Sequence, residues 1–214
     1  MMALRNLSAA ENRLHVKFVG GSLCLDFVNT VGGRDHAGTV IRDKIAQYSD
    51  LVYWSVLAGS ADRGTAHALD KVAARQPAEA DALFERALRL RESLFRIFQC
   101  GAERRRVPVR DVEVLRAEVS VARAQQTLAP RDGGFVWTFP ARTDALDRIL
   151  WPISLSAAEL LTSADLARLR ECAGEDCGWM FIDTSRNRRR QWCDMQDCGN
   201  RAKVKRFRLK RRPI

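Results

Sequence analysis

Apolar residues at helical spacing dominate the middle of the chain. Leu83, Leu90, Leu94 and Ile97 follow one another at intervals of seven, four and three positions within residues 79–106. These intervals are typical of a helix with one buried face. A proline two residues further on cannot continue a helix. The pattern therefore predicts one long amphipathic helix.

Shorter segments predict further helices and a strand on both sides of the long helix. We expect helices over residues 48–57, 111–128, 144–161 and 165–170, the third bent at Pro152. Residues 135–139, Phe-Val-Trp-Thr-Phe, are rich in aromatic and β-branched side chains and predict a strand.

The pattern is ambiguous near the amino-terminal end. Two short apolar runs within residues 15–31 are separated by Gly20-Gly21, which favours a β-hairpin. The stretch from Phe27 to Thr30 could instead open a helix. With no internal repeat, these elements predict an α+β fold. We expect a mostly helical domain with a small antiparallel sheet over residues 1–164 and a second domain over residues 165–214.

Four of the six cysteines form two Cys-x4-Cys pairs with fifteen residues between them. They are Cys172, Cys177, Cys193 and Cys198. Four thiolates at such spacing are typical of a tetrahedral zinc site, although the pairs are wider than the usual Cys-x2-Cys. Because the protein supplies all four ligands, we expect one structural Zn²⁺ ion and no catalytic metal. Free or disulfide-bonded cysteines are the alternative.

The residues around these cysteines predict a treble clef, which has the order knuckle, hairpin and helix. Residues 179–182 predict a strand, 183–187 a turn and 188–192 the returning strand, before a helix that begins after Cys193 or at Asn200. A segment this small cannot bury enough apolar surface by itself, so the metal supplies much of its stability. We expect the chain without residues 165–214 to stay folded.

Positive charge is concentrated in the same region. The formal net charge is +10, and residues 186–214 alone carry twelve Lys and Arg residues against Asp194 and Asp197. The remaining residues are balanced, so the sequence predicts a neutral body with one cationic end. Such sorting indicates a polyanionic partner, and a solvated tail is the alternative.

Specific residues of this end are candidates for contacts with nucleic acid. They are Arg186, Asn187, Arg188, Arg189, Arg190, Asn200, Arg201, Lys203, Lys205, Arg206 and Arg208. Because Arg and Asn read guanine and adenine edges, Asn187, Asn200 and Arg201 are the candidates for base reading. Asn200 could instead cap a helix, and Arg201 could pair with a carboxylate or a zinc-bound thiolate.

Two polar residues, Asp26 and Asn29, interrupt an apolar run. They could line a pocket for a small-molecule effector, or they could bind backbone groups at the end of a strand.

Other functional classes find little support in the sequence. No spacing typical of a nucleophile and its base and no phosphate-binding loop is present, so we do not expect an enzyme. No stretch approaches the roughly 20 apolar residues that span a bilayer, and no secretory signal is recognisable. We therefore expect no membrane partner and a cytoplasmic protein with reduced thiols.

The segment Cys193-Asp194-Met195-Gln196-Asp197-Cys198-Gly199-Asn200-Arg201 resembles the signature of CGNR-type zinc fingers. Residues 18–30, Phe-Val-Gly-Gly-Ser-Leu-Cys-Leu-Asp-Phe-Val-Asn-Thr, resemble the start of the ABATE domain. Residues 151–161 resemble its closing helix. The resemblance implies a stress-linked bacterial transcription regulator, with a sensor-like ABATE domain before a DNA-binding zinc finger.

Two partners stay open at this stage. Double-stranded DNA is the expected partner, and an RNA- or ribosome-associated zinc protein is the alternative, because basic zinc modules serve both. Many regulators are homodimers, but the sequence does not locate an interface.

Overall fold

The computed structural model describes residues 14–35, 38–140 and 144–210. The helices in these ranges are α1 (Leu23–Val28), α2 (Tyr48–Leu57), α3 (Arg63–Arg75), α4 (Pro77–Ala102), α5 (Val109–Ala124), α6 (Leu150–Thr162) and α7 (Asn200–Lys210). Three antiparallel pairs of strands accompany them: β1 (Val31–Arg34) with β2 (Val40–Asp43), β3 (Thr127–Arg131) with β4 (Gly134–Thr138), and β5 (Leu169–Glu171) with β6 (Met180–Ile182). The predicted α+β class, mostly helical with small antiparallel sheets, is confirmed.

The central helix α4 confirms the strongest prediction. Pro77 occupies its first position, where the missing N–H is not needed and the fixed φ suits a helix. The predicted face is buried, and Leu90, Leu94 and Phe98 are fully inaccessible to solvent. The helix ends at Ala102, earlier than predicted, because the chain turns at Arg104 with a φ of 55°.

The shorter helices follow the prediction in part. Helix α2 has the predicted bounds, and α5 stops at Ala124 because the next residues form β3. Helix α6 begins only at Leu150, after a 3₁₀ turn over Leu146–Ile149. Pro152 therefore lies in the first turn of α6, which tolerates proline. The helix is continuous, so the predicted bend at Pro152 is wrong.

The prediction missed one helix and was wrong at two other places. Helix α3 was not predicted, although Asp62 caps it by accepting a hydrogen bond from the Thr65 amide at 2.6 Å. Residues 165–170 form a 3₁₀ turn, Ala164–Arg168, and then strand β5 rather than one helix. The expected strand over residues 188–192 is absent from the described residues, because the Asp183 carboxylate holds Ser185 and the Arg190 amide in a compact turn.

The hairpin favoured for residues 15–31 is also wrong, because residues Leu23–Val28 form helix α1. The alternative, a helix that opens at Phe27, is wrong as well, since α1 ends at Val28. Cys24, Leu25, Phe27 and Val28 are all buried, so this short helix is apolar on nearly every side. Periodicity cannot separate a helix from a strand in such a run. The Asp26 carboxylate accepts a hydrogen bond from the Gly20 amide at 2.8 Å and so fixes the turn before the helix.

We name residues 169–210 the C-terminal module and the preceding residues the helical body. Both contribute to one hydrophobic core, because Leu169, Met180 and Ile182 of the module pack with Leu25 and the α4 side chains of the body. Strand β6 pairs with β5, which precedes Cys172, and not with residues 188–192, the returning strand that a treble clef would need. The treble clef therefore stays a prediction.

Glycines permit the closest approach between the two parts. Gly33 of β1 has a φ of 153°, and a side chain there would collide with the carbonyl oxygen of Asp176. Gly178 has a φ of 58°, and its Cβ would lie 2.7 Å from the Cβ of Arg34. Arg34 is buried in turn, and its guanidinium donates to the Glu92 carboxylate at 2.6 and 3.0 Å.

Within the ranges that the structure covers, each helix is too short or too polar to cross a lipid bilayer.

The shared core predicts that the helical body does not fold alone, contrary to the expectation from the sequence. Deleting residues 165–214 should abolish cooperative thermal unfolding, because Leu169, Met180 and Ile182 leave a large apolar surface exposed on the body. Circular dichroism melting measures this. Deleting residues 203–214 is the control, since residues 203–209 of α7 are exposed, and it should leave the midpoint nearly unchanged. A cooperative melt of residues 1–164 would contradict the prediction.

Candidate metal centre and nucleic-acid surface

Four thiols converge at the base of the C-terminal module. The Sγ atoms of Cys172, Cys177, Cys193 and Cys198 lie within 4.8 Å of one another, and all four residues are buried. Three of the Sγ–Sγ distances are 3.6 to 3.7 Å. Sulfurs placed about 2.3 Å from one tetrahedral zinc lie roughly 3.8 Å apart, whereas a disulfide measures about 2.05 Å. The cage fits a tetrathiolate zinc, and the disulfide alternative is wrong because no disulfide joins any of the four cysteines.

Backbone groups hold the first sulfur in place. The Cys172 amide donates to the carbonyl oxygen of Trp179 at 2.8 Å, which ties the two ends of the first knuckle together. The Gly174 and Cys193 amides donate to Cys172 Sγ at 3.4 and 3.2 Å. Such donors stabilise negative charge on sulfur, so they favour the thiolate form of Cys172 that binds a metal.

Without a metal, the thiols of Cys172, Cys177 and Cys193 compete for negative charge. Hydrogen bonds from the thiols of Cys177 and Cys193 lower the pKa of Cys172. In return, the hydrogen bonds with Cys172 raise the pKa of Cys177 and of Cys193. A divalent metal removes this conflict, because its charge stabilises all four thiolates together.

Arg201 contacts the cage, although its side chain is 65% exposed. Its Nη2 donates to Cys198 Sγ at 3.0 Å, and its Nε lies 3.3 Å from Asp197 Oδ1. The hydrogen bond with Cys198 raises the pKa of the guanidinium. The geometry thus agrees with the alternative in which Arg201 partners a thiolate. The Asn200 side chain donates to the carbonyl of Gln196 at 3.0 Å and links α7 to the preceding π turn, Met195–Gly199.

Cations of the helical body also approach the cage. Lys44 Nζ lies 4.3 Å from the centre of the Trp179 ring, and burial lowers the pKa of this amine. Lys17 Nζ lies 2.8 Å from Asp194 Oδ2 and 3.6 Å from Asp197 Oδ2. A cleft of about 570 Å³ separates these groups from the cage. Four cations line the same cleft as three cage cysteines and two carboxylates, so positive charge faces the cage: Lys17, Arg42, Lys44 and Arg201.

Asn29 joins the body to the module. Its side-chain amide donates to the Met180 carbonyl at 2.8 Å and accepts from the Met180 amide at 2.9 Å, and the residue is 2% exposed. The Trp179 indole donates to the Val31 carbonyl beside it, at 3.1 Å. Asn29 and Asp26 therefore bind backbone groups, which is the second interpretation of their sequence pattern, and their polar atoms are engaged within the fold.

The remaining basic candidates lie on two exposed stretches. Arg186, Asn187, Arg188 and Arg189 are exposed on the turn after β6. Arg190 differs, because its guanidinium donates to the carbonyl oxygens of Trp192 and Cys193 and lies over the Phe181 ring. On α7, Lys203, Lys205, Arg206 and Arg208 are exposed, and Lys205 Nζ pairs with Glu175 Oε2 at 2.6 Å.

A comparison with protein-family models places this architecture. Residues 21–164 match the ABATE family, described as "Putative stress-induced transcription regulator", over more than half of the chain. The chain belongs to the ABATE family. Residues 168–211 match the CGNR zinc finger, and this finger with its clustered cysteines carries one structural zinc ion. A comparison with curated proteins found no match. Neither matching family is an enzyme family.

Sequence reasoning missed the contacts between the ABATE region and the finger. Asn29 gave a weak signal, since an amide inside an apolar run needs a buried partner. Lys44 and Gly33 gave none, because only the tertiary structure brings them beside Trp179 and Asp176.

Replacement of Asn29 should destabilise the ABATE fold as a whole. The Asn29→Ala variant leaves the Met180 N–H and C=O buried without their partners. At about 1–3 kcal/mol for each of the two unsatisfied groups, the free energy of unfolding should fall by roughly 2–6 kcal/mol. Chemical denaturation measures the loss. Asn187→Ala, at an exposed turn, should change the free energy of unfolding by less than about 0.5 kcal/mol. An equal effect of both variants would argue against a stabilising role for the hydrogen bonds between Asn29 and Met180.

Removal of zinc should unfold the finger and weaken the ABATE region with it. Structural zinc contributes on the order of 10 kcal/mol, and β6 lies in the common core. The Cys193→Ser variant should lack zinc in elemental analysis and lose amide protection over residues 169–210 in hydrogen exchange. Cys100→Ala, which replaces a buried cysteine outside the cage, should keep one zinc per chain. Full protection in the metal-free variant would count against the prediction.

Proposed function

We propose that the chain is a zinc-dependent transcription regulator that binds double-stranded DNA through its C-terminal module. The observation that carries this proposal is the cationic surface formed by α7 and the turn at residues 186–189. Six of its cations have no acidic partner among the described residues: Arg186, Arg188, Arg189, Lys203, Arg206 and Arg208. Unpaired cations are free to replace the counterions of a phosphate backbone.

The shape of α7 supports a duplex as the partner. From Lys203 to Leu209 every residue is exposed, so the helix projects from the module with no buried face. A helix with side chains is about 10–12 Å wide, and the major groove of B-DNA is about 12 Å wide. The helix could therefore enter the groove while the turn at residues 186–189 contacts phosphates. In this proposal Asn187 is the candidate for base reading, while Arg201 is occupied by Cys198.

The aromatic residues favour duplex DNA over single-stranded RNA. Recognition of unpaired bases uses exposed aromatic rings as stacking platforms. Trp179 and Phe181 of the module are buried at 7% and 0% exposure, and Trp192 is partly buried. Phe207 on α7 is 56% exposed, so the described part of the module offers one exposed ring rather than a row of stacking platforms. In this proposal, residues 1–164 form the ABATE body that positions the finger, and residues 165–214 supply the nucleic-acid surface.

The salt dependence of binding tests the proposal. Neutralising six phosphates predicts a slope of log K against log salt of about −5, and the Lys203→Gln/Arg206→Gln/Arg208→Gln variant should reduce it to roughly −3. Fluorescence anisotropy with a labelled duplex measures both slopes. The control variant Lys71→Gln/Arg75→Gln/Arg106→Gln removes the same charge from the body and should keep the full slope.

Two outcomes of this experiment would overturn the proposal. One is equal slopes for the finger variant and the body variant, which would show that the net charge alone drives binding. The other is tighter binding of a single-stranded or double-stranded RNA of the same sequence, which would favour the RNA-associated alternative.

A further inference from the structure

The β3–β4 hairpin presents an apolar face that no part of the described chain buries. Its two strands pair in register from Thr127 with Thr138 to Arg131 with Gly134. Asp132 and Gly133 form the turn with φ of 48° and 81°, the left-handed conformations of a tight two-residue hairpin. The strands are therefore regular, and alternate side chains point to opposite faces.

One face of the hairpin is wholly apolar. Leu128 lies opposite Trp137, and Pro130 lies opposite Phe135, so these four side chains share a face. Leu128 is 54% exposed, Phe135 70% and Trp137 63%. The opposite face carries Ala129 and Val136, which are partly buried. An ordinary soluble surface scatters such large apolar residues singly, and their concentration on one small sheet indicates an interface.

We propose that this face is a self-association surface, on which the hairpin of a second copy of the chain packs. Charge argues for an apolar occupant. Among residues 127–138 only Arg131 and Asp132 are charged, and Arg131 Nε lies 3.7 Å from Asp132 Oδ2. The hairpin is therefore neutral, unlike α7, and offers a polyanion no attraction.

The size of the face fits a two-fold contact between copies. An aromatic side chain covers 150–250 Å², so the exposed parts of Leu128, Phe135 and Trp137 amount to roughly 350 Å² per copy. Two facing copies remove roughly 700 Å² from water, an area typical of weak, transient complexes. A two-fold axis also pairs the face with itself, so apolar surface meets apolar surface without a second complementary patch.

The hairpin edges direct association to the face. In a two-residue hairpin the Pro130–Phe135 pair is the one whose backbone groups point outward. Proline has no N–H, so Pro130 interrupts the outer edge of β3 where an added strand would need a donor. Strand addition at β3 is therefore disfavoured, which favours packing on the face over pairing at this edge.

Sedimentation velocity over a concentration series of the zinc-loaded full chain tests the inference. The wild type should form a dimer with a dissociation constant of about 1–100 µM, as small apolar interfaces do. The Phe135→Thr/Trp137→Thr variant keeps β-forming residues and should raise this constant by at least about 30-fold. Val109→Thr/Val112→Thr, which alters exposed apolar residues on α5, is the matched control and should leave it unchanged.

Hydrogen exchange of the wild type locates the contact without any variant. Amides of residues 127–138 should gain protection as the concentration rises, while those of α7 should not. A wild type that stays monomeric throughout the series would overturn the inference. So would a dimer that survives the hairpin substitutions or is protected elsewhere. The measurement needs no nucleic acid, so its failure leaves the proposed DNA binding untouched.

Discussion

Two buried hydrogen bonds between the Asn29 side chain and the backbone of Met180 are the contact on which the zinc finger depends for its position. They fix strand β6 against α1 of the ABATE body. Cys177 lies three residues before Met180, and Cys172 is bonded through its amide to Trp179, so the same contact fixes half of the cysteine cage. The metal site is thus an extension of the core of the body.

The cage in turn fixes the basic helix. Cys198 is two residues before the start of α7, and the Arg201 guanidinium on the first turn of the helix reaches back to the Cys198 sulfur. A tetrathiolate zinc carries a charge of about −2. Arg201 lies against it, and Lys44 of the body stands over Trp179, one of the residues next to the cage. The zinc ion therefore has a positional role: it sets where the cationic helix leaves the protein.

Two exposed surfaces of the chain differ sharply in chemistry. The surface of α7 and residues 186–189 is strongly cationic, with Val204, Phe207 and Leu209 exposed between the charges, whereas the face of the β3–β4 hairpin is neutral and apolar. The hairpin extends from the segment between α5 and α6, within the ABATE region, and α7 extends from the finger. The charged side chains of the first surface are well hydrated, but the hydration of exposed Phe135 and Trp137 is unfavourable. The two surfaces are therefore suited to different kinds of partner.

Local patterns in the sequence were sufficient for the long helix α4, for α2 and for the cysteine ligand set, because helical periodicity and Cys-x4-Cys spacing are properties of short segments. They were insufficient for α1, where burial on every side removes the periodic signal, and for α3, whose cap is a single aspartate. The partner of β6 was assigned wrongly, because strand pairing depends on which distant segment docks first against the core. Likewise, the sequence identified Arg201 as basic and Asn29 as polar, but their roles at Cys198 and Met180 were decided by the tertiary structure, since a side chain's partner is set by proximity in space and not by its position along the chain.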